Sequence, residues 1–262
     1  MMILKSFILC SYFILITNIT FGQNKFSLFV DDEEDDSITK RYYELHDGHW
    51  AGIDFGVNLM LDNSFKRNFD GNTQFKNNVL TSYNFRLNFI DHKFVITEEK
   101  LGVTIGAGYN HNSYDLIKNF NVKETFDKTT NDKKVVESFD SLNYTYNKIR
   151  ASYLQIPLLI EYTPNKNNWL SLGILAGYRF GSSTKNLFEY QKVQYITKTK
   201  GDFNLNTFQC DAILRFGYKS LGGYLTYSLI PVFNNNDIYD MNNIKNKITT
   251  INPIAFGLSF NY

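Results

Sequence analysis

Two groups of residues in this chain have the types and spacing to do chemistry. His111-Asn112-Ser113 sets an imidazole two residues from a hydroxyl. On an extended strand the two side chains share a face, and the histidine could act as base to a serine nucleophile in acyl hydrolysis. Such a pair also needs an acid to orient the base, and no carboxylate can be assigned to that role. The second group is a set of charges at the polar positions of alternating stretches: Asp54, Arg86, Glu161, Arg179, Asp211 and Arg215. Gathered in one interior, equal numbers of each sign either neutralise one another as a static plug or relay an ion. The plug is the preferred reading, because unpaired buried charge is costly. His46 and His49 flank Asp47-Gly48, a trio of possible metal ligands, but a solvated strand entry is the preferred reading. No metal or cofactor is expected.

The elements that must position these residues are strands. In Trp50 to Leu61, Ala51, Ile53, Phe55, Val57, Leu59 and Leu61 share one face while Gly52, Asp54, Gly56 and Asn58 take the other. Leu80 to Ile90 sets Tyr83, Phe85, Leu87 and Phe89 against Ser82, Asn84, Arg86 and Asn88. Leu101 to His111, Ser152 to Tyr162, Leu170 to Phe180, Thr207 to Tyr218, Gly223 to Phe233 and Ile254 to Tyr262 repeat the pattern. A period of two with one apolar and one polar face is a strand signal, and glycine at every second position would ruin an amphipathic helix. Each stretch has about the ten residues a tilted strand needs to cross a bilayer.

The connections alternate in length. Asp62–Val79, His111–Arg150, Gly181–Asn206 and Asn234–Lys247 are long; Asp91–Lys100, Thr163–Asn168 and Lys219–Leu221 are short, and Pro164-Asn165 supplies turn chemistry in the second of these. Long and short connections around an even number of strands are the plan of an outer-membrane barrel. The expectation is an all-β, eight-stranded, antiparallel up-and-down transmembrane β-barrel spanning residues 49–262. A soluble barrel would wear polar residues outside and apolar ones within, and a face of charges and glycines cannot fill an apolar core. Aromatics at strand ends (Tyr109, Tyr162, Trp169, Tyr178, Phe180, Tyr218, Phe233 and Tyr262) are expected to form interfacial girdles.

Both ends of the sequence fit export. Residues 1–22 read as a signal peptide, with Lys5 ahead of the apolar Phe7–Ile16 and small residues Thr20 and Gly22 before Gln23. Cys10 sits within the apolar run rather than in a lipoprotein motif, so Cys210 would be the one cysteine of the mature chain and no internal disulfide can form. Gly257-Leu258-Ser259-Phe260-Asn261-Tyr262 alternates aromatic and polar residues, and Gly257, Phe260 and Tyr262 resemble the C-terminal signal read by the barrel-assembly machinery, with Ala255 standing where that pattern has a polar residue. Residues 23–48 hold the acidic run Asp31–Asp36 followed by Lys40 and Arg41, expected to be a solvated periplasmic tail or a docking site for a basic partner. Net charge is +1, and the lysines of the longest loop intermix with acids, so nucleic acid is not a partner.

Tyr153-Leu154-Gln155-Ile156-Pro157-Leu158-Leu159-Ile160-Glu161-Tyr162 closely resembles the YLEIPLLLKY strand of the PorT-like outer-membrane β-barrel family, and Leu172-Gly173-Ile174-Leu175-Ala176-Gly177-Tyr178 is similar to that family's following G-x-x-x-G-Y strand. Gln155 and Glu161 stand where the family usually has Glu and Lys. The resemblance implies an eight-stranded barrel in a Gram-negative outer membrane and, through the founding member, an accessory role in type IX protein secretion. The H-x-S spacing of His111 and Ser113 also resembles that of the lipid A deacylase barrels, which implies an outer-leaflet hydrolase as the competing class. A loop-mediated adhesin is a third. The leading expectation is a non-enzymatic, monomeric barrel with both termini periplasmic and long loops outside. Its expected partners are outer-membrane lipids, the assembly machinery during biogenesis, and secretion-system or other envelope proteins.

Overall fold

The computed structural model describes residues 48–62, 64–67, 76–97, 100–117, 121–126, 133–138, 143–234, 237–239, 245–247 and 250–262. The described residues all fall within one compact unit, 42–262. The expected signal peptide, the acidic run and His46 lie outside the described residues.

The described strands are β1 (Gly52–Asp62), β2 (Tyr83–Thr97), β3 (Leu101–Asp115), β4 (Asn121–Phe126), β5 (Lys133–Ser138), β6 (Asn143–Tyr162), β7 (Asn168–Tyr190), β8 (Val193–Lys200), β9 (Phe208–Tyr218), β10 (Leu221–Ser228), β11 (Asp237–Tyr239), β12 (Lys245–Lys247) and β13 (Ile251–Asn261). Eight of them close a ring in the order β1-β2-β3-β6-β7-β9-β10-β13, with β13 pairing back onto β1 and every pairing antiparallel. Closure leaves the ring no free edge. The short connections β2–β3, β6–β7 and β9–β10 gather at one end, the turn end, and the long ones at the other, the loop end. Strands β4, β5, β11 and β12 form a separate small sheet within the long connections.

The dress of the barrel follows the period of two. Phe55, Leu158, Leu172, Phe216 and Leu258 are exposed on the outer face, while Asp54, Arg86, Glu161, Asp211 and Arg215 are buried on the inner one. Proteins in water arrange these classes the other way round. The seam where the ring closes sets Gly56 opposite Gly257, with Tyr224 beside Gly257 in the next register pair. A Cβ on either glycine would collide with backbone of the facing strand. The absent side chains leave the room that the buried Tyr224 ring fills, an aromatic covering a glycine pair.

Several expected boundaries move. Strand β2 runs on past Ile90 to Thr97, because a bulge between Asn88 and Ile90 turns both Phe89 and Ile90 outward and resets the phase. Residues expected as a turn, Asp91 to Lys93 among them, are therefore strand, and Lys93 points inward. The expected loop Gly181–Asn206 is largely a hairpin: β7 continues to Tyr190 and returns as β8, through a two-residue turn in which Gln191 and Lys192 both take positive φ, as a tight hairpin turn requires. Strand β6 likewise starts at Asn143, well before Ser152. Beyond the ring, β6, β7 and β8 thus extend as a sheet of their own.

The girdle expectation holds in part. Tyr162, Tyr178, Phe180, Tyr218 and Tyr262 are exposed on the outer face near one or other end. Trp169 and Phe233 are not girdle residues, being 2% and 4% exposed. Trp169 occupies an inward position of β7, where its Nε1 donates to the Lys219 carbonyl at 2.8 Å. Phe233 follows Pro231 after β10 has ended, and it folds into an apolar cluster with Tyr114, Ile149, Tyr153, Phe203 and Leu205 that fills the loop end. Ala51 and Leu61, expected outside, are buried as well, since they stand at the two ends of β1 where neighbouring segments cover them.

Candidate functional site

The interior of the barrel gathers most of the buried charged side chains among the described residues. Asp54 and Arg86 face one another in register on β1 and β2, the adjacency expected from the sequence. Their atoms stand 3.9 Å apart, whereas Arg215 reaches across from β9 to place Nη2 3.0 Å from Asp54 Oδ1. Ser259 donates to the same carboxylate oxygen at 2.6 Å, and Asn88 Nδ2 to the other at 3.2 Å. Arg215 donates further to Ser259, to Asn261 Oδ1 at 3.1 Å and to the His49 carbonyl at 2.7 Å. Its guanidinium lies over the rings of Trp50 and Trp169, at 5.0 and 5.6 Å, where the ring quadrupoles favour a cation. Asp54 and Arg215 are both fully buried, and a buried pair so thoroughly hydrogen-bonded holds itself neutral in place.

Above this pair lies an asparagine relay. Asn84 Nδ2 donates to Asn110 Oδ1 at 2.7 Å and to Asn112 Oδ1 at 2.8 Å, while Asn84 Oδ1 accepts from Tyr224 OH at 2.7 Å. The Arg86 guanidinium sits 4.7 Å from the Tyr224 ring centre. Short amide side chains at alternate positions of neighbouring strands meet across the lumen and satisfy one another.

At the turn end a second charged centre forms around Glu161. Lys93 Nζ lies 2.8 Å from Oε1, the His49 ring nitrogen Nδ1 2.9 Å from the same oxygen, and the His49 backbone N–H 3.0 Å from Oε2. Trp50 and Ala51 give their N–H groups to Asp91 at 2.7 and 3.0 Å. Residues His49 to Ala51 are therefore pinned across the mouth by two carboxylates, with the His49 ring stacked on Trp169 at 5.1 Å. His49 is thus a strap residue, not a solvated strand entry. Through its carbonyl it also joins the Glu161 centre to Arg215.

The remaining expected residues stand apart. Arg179 lies near the loop end, bound to Asp202, to Ser182 Oγ at 2.6 Å and to the carbonyls of Leu205 and Asn206 at 2.9 and 3.1 Å. Asp211 accepts from Gln209 Nε2 at 2.6 Å. Neither belongs to the Asp54–Arg215 network. His111 and Ser113 do share the outer face, but His111 Nδ1 is 2.9 Å from Ser152 Oγ, and Ser113 Oγ is buried with no hydrogen-bond partner. Gly257 packs at the seam, and Phe260 and Tyr262 project outward near the turn end, where the Tyr262 hydroxyl donates to the Phe89 carbonyl at 2.7 Å. Sequence reading missed Lys93, which the β2 bulge hides, and His49, whose role depends on a contact to a residue 112 positions away. Among the described residues no cluster of His, Cys, Asp and Glu is fit to hold a metal ion.

A closed antiparallel ring with an apolar exterior and a packed polar interior is a membrane-spanning β-barrel. The chain matches the outer membrane protein beta-barrel domain family over residues 40–234 and belongs to it. No curated protein and no solved structure matches the chain. The match stops short of β13, yet that strand supplies both neighbours that close the ring. One consequence is measurable at Leu158, which lies midway along the exposed outer row Leu154, Ile156, Leu158, Ile160 and Tyr162 of β6. Leu158→Arg is expected to lower unfolding free energy in lipid vesicles by about 2–4 kcal/mol, whereas the same change made in a soluble loop would be nearly silent.

Proposed function

We propose that the protein is a non-conducting, non-enzymatic outer-membrane barrel that works through the surfaces it presents outside the bilayer, with the loop end external and both termini periplasmic. The observation that carries this reading is the filled lumen: Tyr114 and Phe233 are packed at one end, and Arg215 and Asp54 are fully buried beside Trp50 and Trp169 toward the other. An eight-stranded barrel has just enough interior for its own side chains, and here Asp54, Asn88, Arg215, Ser259 and Asn261 are tied to one another across it. The sheet that β6, β7 and β8 build beyond the ring, together with the long loops, then offers the surface for partners.

The likeness of Tyr153–Tyr162 to the PorT-like strand makes a secretion accessory the specific version of this reading. The hydrolase reading finds less support, since the His111 imidazole is engaged by Ser152 rather than Ser113. The test is comparative proteomics of culture medium and periplasm in a strain lacking the gene. Type IX cargo should fall in the medium and accumulate inside the cell. An unchanged exported set would remove the secretion role and leave envelope binding through the loops, and a Ser113→Ala strain should be indistinguishable from wild type in its lipid A.

A further inference from the structure

Just above the apolar belt, the outer face of β6, β7 and β8 carries an array of cations that the lumen and the fold do not use. Ile149, Thr184 and Asn186 are buried on the inner side, so the alternating Lys148, Arg150 and Lys185 stand on the outer one. Register places Lys198 of β8 beside Lys185, and Lys185 beside Lys148; Lys200 pairs with Ser183, and Ser183 with Arg150. Cross-strand partners share a face. Two rows result: Asp115–Lys148–Lys185–Lys198 and, below it, Ser113–Arg150–Ser183–Lys200.

Height decides what these rows meet. The aromatic row Tyr109–Leu154–Tyr178–Phe208 belongs to the exposed apolar surface, and Phe180 packs on Tyr109 at 5.9 Å. His111 and Ser152 come next. At about 3.3 Å of rise per residue, the Arg150 row lies roughly 13 Å and the Lys148 row roughly 20 Å along the tilted strands from the aromatic row, on the side of the belt where lipid head groups and what they carry would stand.

Three lysines side by side in register repel one another. In the described part of these rows Asp115 is the only acid, and its carboxylate stands 4.0 Å from Lys148 Nζ. Tyr146 relieves a little of the strain, with Lys148 and Lys185 at 5.4 and 5.6 Å from its ring centre. Arg150 Nε is buried without a hydrogen-bond partner, and Arg150 and Lys198 are near enough to His111 to act on its ring electrostatically. Lys148 is held by Asp115 and by the Thr81 carbonyl at 3.2 Å, and the other cations of the rows present charges that an anion with several oxygens would satisfy.

We infer that this face binds the phosphorylated head group of a membrane lipid, with Arg150 and Lys185, Lys198 and Lys200 as the phosphate-binding side chains. Arginine offers a fork to two phosphate oxygens and lysine a point charge. The site is continuous with the lipid-facing belt, so the occupant is a lipid and not a soluble anion. The inference rests on the barrel spanning a membrane. It does not rest on the secretion role.

The test uses the full chain folded in detergent micelles, titrated with diphosphoryl lipid A and, separately, with phosphatidylcholine, and read by native mass spectrometry. Wild type should prefer diphosphoryl lipid A. The triple variant Lys185→Gln, Lys198→Gln, Lys200→Gln should lose about 100-fold in that affinity, at roughly a factor of five per cation near a lipid surface. The matching Lys→Arg triple should retain binding, and Lys166→Gln, at an exposed turn on the opposite end, should change nothing. Equal binding by wild type and the Gln triple would overturn the inference, as would displacement of the lipid by millimolar inorganic phosphate, which would mark a free-anion site. Barrel formation is read separately, from gel mobility before and after boiling, so a failure to insert is distinguished from a failure to bind.

Discussion

Arg215→Met is expected to cost the folded barrel about 3–5 kcal/mol, the penalty for leaving one member of a buried ion pair behind, measured by denaturant unfolding in lipid vesicles. The size follows from what the guanidinium holds. It neutralises Asp54 at 3.0 Å, donates to Ser259, Asn261 and the His49 carbonyl, and rests between two tryptophan rings. Methionine keeps the apolar stem but stops short of the guanidinium's place, so a packing loss adds to the charge term. Arg86 cannot take over without moving, because its nearest nitrogen is 3.9 Å from the carboxylate. Adding Asp54→Asn should recover part of the loss, giving a coupling on the order of 1–3 kcal/mol between the two sites. A loss below about 1 kcal/mol would mean that water screens the pair as it does at a surface. The lumen would then be wet, and the reading of a filled, non-conducting interior would fall with it.

Much of this site was legible from residue order alone, and the parts that were not share a cause. Alternation placed Asp54, Arg86, Glu161, Asp211 and Arg215 inside, and strand adjacency put Asp54 level with Arg86. Which charges actually meet depends on reach across the lumen from β9 to β1, and strand spacing along the chain carries no such information. Lys93 was read as turn because Phe89 and Ile90 break the period; a bulge preserves the strand while shifting its phase by one residue. The extension of β6, β7 and β8 was invisible for another reason. Ser182-Ser183-Thr184-Lys185-Asn186 has no apolar face to alternate, since this part of the sheet stands clear of the belt and needs none. Trp169 and Phe233 were assigned to girdles on residue type. An indole whose N–H finds a carbonyl can be buried at little cost, and a phenylalanine after a strand-ending proline is free to turn inward.

Glu161→Ala is the second change expected to act strongly, again by about 3–5 kcal/mol, and its signature differs from that of Arg215. Glu161 is fully buried and gathers Lys93, the His49 ring and the His49 backbone amide onto one carboxylate. Removing it leaves the Lys93 ammonium with Thr163 Oγ1 at 2.9 Å as its remaining partner, a hydroxyl in place of a charge. It also releases one of the two carboxylates that pin residues 49–51 across the mouth, Asp91 being the other. Hydrogen exchange should therefore speed up at the His49, Trp50 and Ala51 amides well before the barrel strands are affected, because a strap held by fewer bonds opens locally at lower free energy. Glu161→Gln should fall between: its amide oxygen still accepts from Lys93, but the charge is gone. A double variant, Glu161→Gln with Lys93→Met, removes the stranded ammonium and should regain stability while leaving the strap loose, because His49 still lacks its carboxylate. That separation is the useful outcome. If stability and strap exchange recovered together, Lys93 rather than His49 would be what closes the turn end, and the link from Glu161 through His49 to Arg215 would have no energetic content.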